Sequence, residues 1–117
     1  MSEIRATTIS DAAGTGPITL TGQSASKAWG HVASDATLND SFNISGGVDN
    51  GTGNYTLSFT SGFSNTRYPT PSISQNGTDR SVTYTGPTTS SFTLECFSQS
   101  GANSDSAVAT VSFGDLA

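Results

Sequence analysis

One histidine, one cysteine and nine carboxylates, set among many hydroxyls, are the groups in this chain that could do chemistry. His31 stands two residues after Trp29, where it could act as a general base, ligate a metal or be a partly exposed strand residue. A nucleophilic triad needs such a base oriented against a serine by a third group, and no G-x-S-x-G elbow is present. Serines are so frequent that their coexistence with His31 and aspartates says nothing. Asp40 and Asp49 are candidate paired carboxylates for glycoside hydrolysis, which requires them about 5–9.5 Å apart across a cleft. Asp49-Asn50-Gly51 resembles the oxygen-rich start of a calcium loop, but the ligand spacing and closing Glu of an EF-hand are missing. Asp35, Asp40, Asp49, Asp79 and Asp105 each sit in or near turn-forming residues, where an Asx side chain caps local backbone groups. Cys96, in SFTLECFSQ, is expected to be a small buried strand residue, and a lone cysteine can form neither an intrachain disulfide nor a multi-Cys zinc site. Tyr55, Tyr68 and Tyr84 lie among Asn, Ser and Thr and, if exposed, could stack on sugar rings; otherwise they pack in a core or an interface. No catalytic, cofactor-binding or metal-binding residue is assigned, and the chain is expected not to be an enzyme.

The elements that position these groups are short strands. From Ser41 to Phe63 the sequence SFNISGGVDNGTGNYTLSFTSGF reads as a β-hairpin. Phe42 and Ile44 alternate with polar residues on one arm, and Tyr55, Leu57 and Phe59 on the other. Gly46, Gly47, Asp49, Asn50, Gly51 and Gly53 are read as the loop between them. Further strands are expected at Lys27–Val32, Ala36–Ile44, Asn54–Thr60, Tyr68–Gln75, Arg80–Tyr84, Ser91–Gln99 and Ala107–Phe113, separated by turn signals such as Asn76-Gly77 and Gly86-Pro87. Pro69 and Pro71 cannot donate ladder hydrogen bonds, which places the start of their segment at an edge or in a loop. About seven or eight short strands without helical periodicity predict an all-β, antiparallel β-sandwich, jelly-roll-like, with an open barrel as the other closure of such strands. Trp29, Phe42, Tyr55, Phe59, Phe92 and Phe113 are expected to carry most of the burial. Ala107–Val111 reads as a strand buried on both faces.

At 117 residues the chain makes one domain with a thin core, since hydrophobic residues are only 32% of it. Charged residues are 11% and the net charge is −5, so no basic cluster exists to neutralise phosphates and nucleic acid is not an expected partner. The opening MSEIRATTIS lacks an apolar run of signal-peptide length, and no stretch approaches the roughly 20 apolar residues of a membrane helix. A soluble protein made in a cytoplasm, without a membrane partner, is expected. Residues 1–23 read as an N-terminal attachment arm, broken by Asp11-Ala-Ala-Gly-Thr-Gly-Pro17, ahead of a β-sandwich domain over 24–117. Its spaced aliphatic residues Ile4, Ile9, Ile18 and Leu20 are the candidate partner-binding positions, because such a segment buries too little to be ordered alone.

Three stretches, SEIRATTISDAAGTGP, QSASKAWGHV and DSFNISGGVDNGTGNYTLSFTSGF, resemble small virion proteins and fibre-tip domains of tailed bacteriophages, particularly those of marine bacteria and cyanobacteria. The resemblance covers most of residues 1–63 and is carried by Lys27–Trp29, Ser41–Ser45, Asp49–Gly53 and Tyr55–Thr60. Gly30-His31-Val32 departs from the polar Val-Asn-Phe-like strand that usually follows the tryptophan. The resemblance implies a structural part of a virion: a tail fibre, head fibre or capsid decoration subunit, made in the host cytoplasm. It also implies a homotrimer bound to other phage virion proteins. A receptor- or glycan-binding adhesin module that meets a host surface glycan through Tyr55, Tyr68 and Tyr84 is the alternative.

Overall fold

The computed structural model describes residues 25–76 and 79–117. The arm expected over residues 1–23, with Ile4, Ile9, Ile18 and Leu20, lies outside the described residues. Eight strands form two packed antiparallel sheets: β1 (Ala28–Val32), β2 (Leu38–Phe42), β3 (Ile44–Gly51), β4 (Asn54–Phe59), β5 (Ser72–Ser74), β6 (Arg80–Thr85), β7 (Ser91–Ser98) and β8 (Val108–Ser112). One sheet has the order β2-β1-β8-β5 and the other β3-β4-β7-β6. The fold is all-β and sandwich-like, and no helix among the described residues is long and apolar enough to cross a membrane.

The period-2 pattern of β4 and β7 places their apolar residues where alternation predicts. Tyr55, Leu57, Phe92, Leu94 and Cys96 are fully buried, with Phe59 close behind, and the intervening residues face out. The hairpin is different from its sequence reading. Phe42 ends β2 and Ile44 begins β3, so the two residues belong to different sheets. Asn43, between them, takes φ of 56° and turns the chain from one sheet to the other. Strand β3 then runs through the supposed loop to Gly51, and only Thr52 and Gly53 connect it to β4. The reason is packing: a Cβ on Gly47 would collide with the carbonyl of Ala36, so this glycine permits a close crossing rather than a bend. Gly53 is the real turn glycine, with φ of 65° and a would-be Cβ 2.6 Å from the Cys96 carbonyl oxygen.

The aromatic core is also redistributed. Tyr55, Phe59 and Phe92 are inside, but Trp29 is 38% and Phe42 54% exposed, and Phe113 is half-buried. Phe63 and Tyr68, which lie in the connection between β4 and β5 because the strand expected over Tyr68–Gln75 is confined to Ser72–Ser74, are buried as well. They close one end of the sandwich, where Phe63 stacks on Tyr68 at 4.4 Å and both meet Phe59 at 4.8 and 5.4 Å. Pro69 and Pro71 sit at the sheet edge and act as acceptors only, taking hydrogen bonds from Phe113 and Val111 N–H groups. Strand β8 is buried on one face alone: Val108, Thr110 and Ser112 point in, while Ala109 and Val111 lie half-buried on the outside. Its inward hydroxyls are paired across the β5 side, Thr70 with Ser112 at 2.9 Å and Ser72 with Thr110 at 2.7 Å.

Candidate functional site

The strand registers assemble a surface that alternation along any single strand does not reveal. On the outer face of the β2-β1-β8-β5 sheet, Trp29 lies opposite both Phe42 and Val111, making an aromatic and aliphatic row across three strands. Pro71 extends it, since its carbonyl accepts from Val111 N–H. The adjoining row is Asp40, His31, Ala109 and Ile73. Ile73 is 66% exposed, so three of the four large exposed hydrophobics of the described residues share this face. A shallow apolar groove runs between β5 and β8, lined by Pro71, Ile73, Ala109 and Val111. A contiguous apolar patch of this kind is characteristic of a surface that meets another polypeptide.

The opposite outer face contrasts with it. Across β3-β4-β7-β6, Thr56, Thr93 and Thr85 form one row, and Asn54, Glu95 and Thr83 another. Their polar groups bond to one another: Asn50 Nδ2 donates to Thr56 Oγ1 at 2.8 Å, Asn54 Nδ2 to Glu95 Oε1 at 3.2 Å, and the Thr56 and Thr93 hydroxyls lie 3.2 Å apart. This face is mainly hydroxyl and amide, with Val48 exposed at its β3 edge and Phe97 half-buried opposite Ser81.

The tyrosines proposed for sugar stacking are not gathered on either face. Tyr55 and Tyr68 are 0% and 2% exposed, and Tyr84 is half-buried with its ring 5.9 Å from that of Tyr68. Burial makes their rings unavailable for stacking, and each hydroxyl is used internally. Tyr55 Oη donates to the Ser34 carbonyl and accepts from Ser106 N–H, while Tyr68 Oη lies 2.7 and 2.9 Å from the Thr88 and Ser91 carbonyls. Tyr84 Oη donates to the Tyr68 carbonyl. Burial raises the Tyr55 and Tyr68 hydroxyls from 10.0 to about 12. Between those values the unfolded chain releases protons that the folded chain keeps, so stability is complete below pH 10 and is lost as pH rises toward 12. Sheet circular dichroism and tyrosinate absorbance are therefore expected to change together in that window. A tyrosine titration complete near pH 10 with the sheet intact would contradict this burial.

Three aspartates bond nearby backbone groups, Asp35 and Asp49 at or beside turns, whereas Asp40, expected in or near a turn, lies within β2. Asp35 accepts from Thr37 N–H, Asp40 from Ser41 N–H and Asp49 from Gly51 N–H, each within two residues. The Thr37 hydrogen bonds hold the Asp35 carboxyl below its usual value. Asp105 works over a longer range, accepting from Gly53 N–H at 2.7 Å and so tying the β3–β4 turn to the β7–β8 connection. Asp40 lies in β2 and Asp49 in β3, in different sheets, and each carboxylate is bonded to a backbone N–H beside it. His31 faces outward opposite Asp40, with Nδ1 3.0 Å from Asn39 Nδ2. Among the described residues no three His, Cys, Asp or Glu side chains are grouped to hold a metal. The Cys96 thiol is buried, and that burial, with Asp105 as a lesser cause, pushes it up to about 11.

Sequence reasoning assigned Trp29 and Phe42 to the core and did not single out Val111 or Ile73 for binding. A signal was present in β1, where Ala28, Gly30 and Val32 already fill one parity and leave Trp29 on the other. Neither a protein-family model, nor a curated protein, nor a solved structure matches the chain.

Proposed function

We propose that this chain is a structural subunit exposed on a bacteriophage virion, as a tail fibre, head fibre or capsid decoration protein, attached through its N-terminal arm and acting by assembly. The observation that carries the reading is the apolar outer face of β2-β1-β8-β5 opposite a hydroxyl-rich face, a polarity suited to a subunit with one side against a partner. The motif resemblance over residues 27–60 supplies the particle context. A homotrimer, with a jelly-roll-like winding in which the first and last strands pair, belongs to the same reading.

The purified chain is expected to sediment as a trimer and to be stoichiometric in purified particles. Phe42→Ser is expected to shift the assembly toward monomer without loss of sheet signal, because the side chain is 54% exposed and contributes little to the core. A monomer at high concentration with cooperative unfolding would overturn the assembly reading. The second reading, a glycan-binding module, draws on the Asn50, Asn54, Thr56, Thr93 and Glu95 network of the other face, whose amides and hydroxyls suit a polyhydroxyl ligand. Saturable binding of host polysaccharide, lost in Asn54→Ala, would favour it.

A further inference from the structure

Resting on the assembly reading, we infer that the outer face of β2-β1-β8-β5 is the receiving site for the N-terminal arm of a neighbouring copy of this chain, seated through Ile18 and Leu20 on the Phe42, Trp29 and Val111 row. The exit geometry of the chain supports a neighbour as the source. Lys27 N–H still donates to the Ser112 carbonyl one residue ahead of β1, so at Lys27 the chain is still paired in the plane of the sheet and not yet over its outer face. Leu20 and Ile18 stand five and seven residues ahead of Ala25, where the described domain begins, and at about 3.3–3.6 Å per residue they reach about 17 and 24 Å, enough to cross the roughly 15 Å width of a four-stranded sheet on an adjoining copy.

The free edges offer less to an incoming segment than the face does. At β2 the Asp40 carboxylate caps Ser41 N–H, and β5 is three residues long with Pro69 and Pro71 leading into it. Two copies packed face to face would place the His31 and Asp40 row of each in a dry interface, where ionisable groups lose their hydration. A narrow segment with Ile18 and Leu20 covers the apolar row and leaves His31 and Asp40 at the wet rim. It is also charge-poor, like the row itself: between Gly14 and Ser26 no Asp, Glu, Lys or Arg occurs.

Trp29 is the only tryptophan in the chain and lies at the centre of the receiving row, so its fluorescence reports on this face alone. In the intact protein, acrylamide quenching of Trp29 is expected to be weak at concentrations where the chain associates and to rise on dilution, with a red shift of the emission. In the full-length Ile18→Asp, Leu20→Asp variant, Trp29 is expected to be exposed at every concentration, with loss of association and unchanged far-ultraviolet circular dichroism. Protection that is independent of concentration yet lost in the variant would mean that the arm folds onto its own domain, and would overturn the inference. So would a variant that still associates with Trp29 protected, which leaves the assembly reading standing. A monomeric intact chain with exposed Trp29 would remove both.

Discussion

Phe59→Ala is expected to lower the unfolding free energy by about 3–5 kcal/mol, a large share of the ~5–15 kcal/mol that typically holds a domain of this size. Phe59 ends β4 at the point where the regular sheet gives way to the connection carrying Phe63 and Tyr68. Its ring lies 4.8 Å from Phe63, 5.4 Å from Tyr68 and 5.3 Å from Phe92. Aromatic pairs of this kind add about 0.5–1.5 kcal/mol each beyond area burial, and alanine removes all three while leaving a cavity. The neighbouring hydrogen bonds depend on the same contacts. Phe63 N–H donates to the Thr89 carbonyl, and Tyr68 Oη sits against Thr88 and Ser91, so the segment is held by side chains more than by ladder pairing. Urea unfolding followed by near-ultraviolet circular dichroism measures the effect, and limited proteolysis should show new cleavage between Phe59 and Pro71. A loss under about 1 kcal/mol would show that this end of the sandwich is not organised around Phe59.

Asn43→Ala is expected to cost about 2–4 kcal/mol, unusually much for a polar residue that is not fully buried. Two separate effects combine at this crossing between sheets. The side chain replaces ladder bonds that the backbone gives up there: Nδ2 donates to the Lys27 carbonyl at 3.0 Å and the Ser61 carbonyl at 2.9 Å, and Oδ1 accepts from Ser61 N–H at 2.6 Å. The backbone, at φ of 56°, is in a region where asparagine is tolerated and alanine costs about 1 kcal/mol or more. Asn43→Gly separates the two, because glycine relieves the dihedral strain and still loses every side-chain bond. The glycine variant is expected to be the more stable of the two by equilibrium unfolding, but below the parent. Equal stability of Asn43→Gly and the parent would show that the hydrogen bonds contribute nothing and the dihedral alone matters.

Local pattern made the strand content legible. Tyr55, Leu57 and Phe59 against Thr56 and Ser58, and Phe92, Leu94 and Cys96 against Thr93 and Glu95, alternate within a few residues, and pleat geometry sends them to opposite faces whatever the strands pair with. The role of Asp35 and Asp49 was legible for the same reason, since each caps a backbone N–H two residues away. Gly47 misled because a glycine that permits a bend and one that permits a close crossing look alike in sequence. Phe63 went unseen as a core residue because Gly, Ser and Asn around it break alternation while long-range packing still buries the ring.

The amino-acid sequence by itself therefore determined the all-β class, the inward residues of β4 and β7, the acceptor-only edge at Pro69 and Pro71 and the use of carboxylates in turns. These follow from side-chain period, missing N–H groups and bonds between near neighbours. Tertiary structure alone decided that Asn43 divides two sheets, that Tyr68 is core rather than surface, and that Trp29, Phe42 and Ile73 meet on one outer face. Alternation can say that two residues point to opposite sides of a strand, but which side is covered depends on partners such as β8 for β1 and β7 for β4, dozens of residues away in the chain.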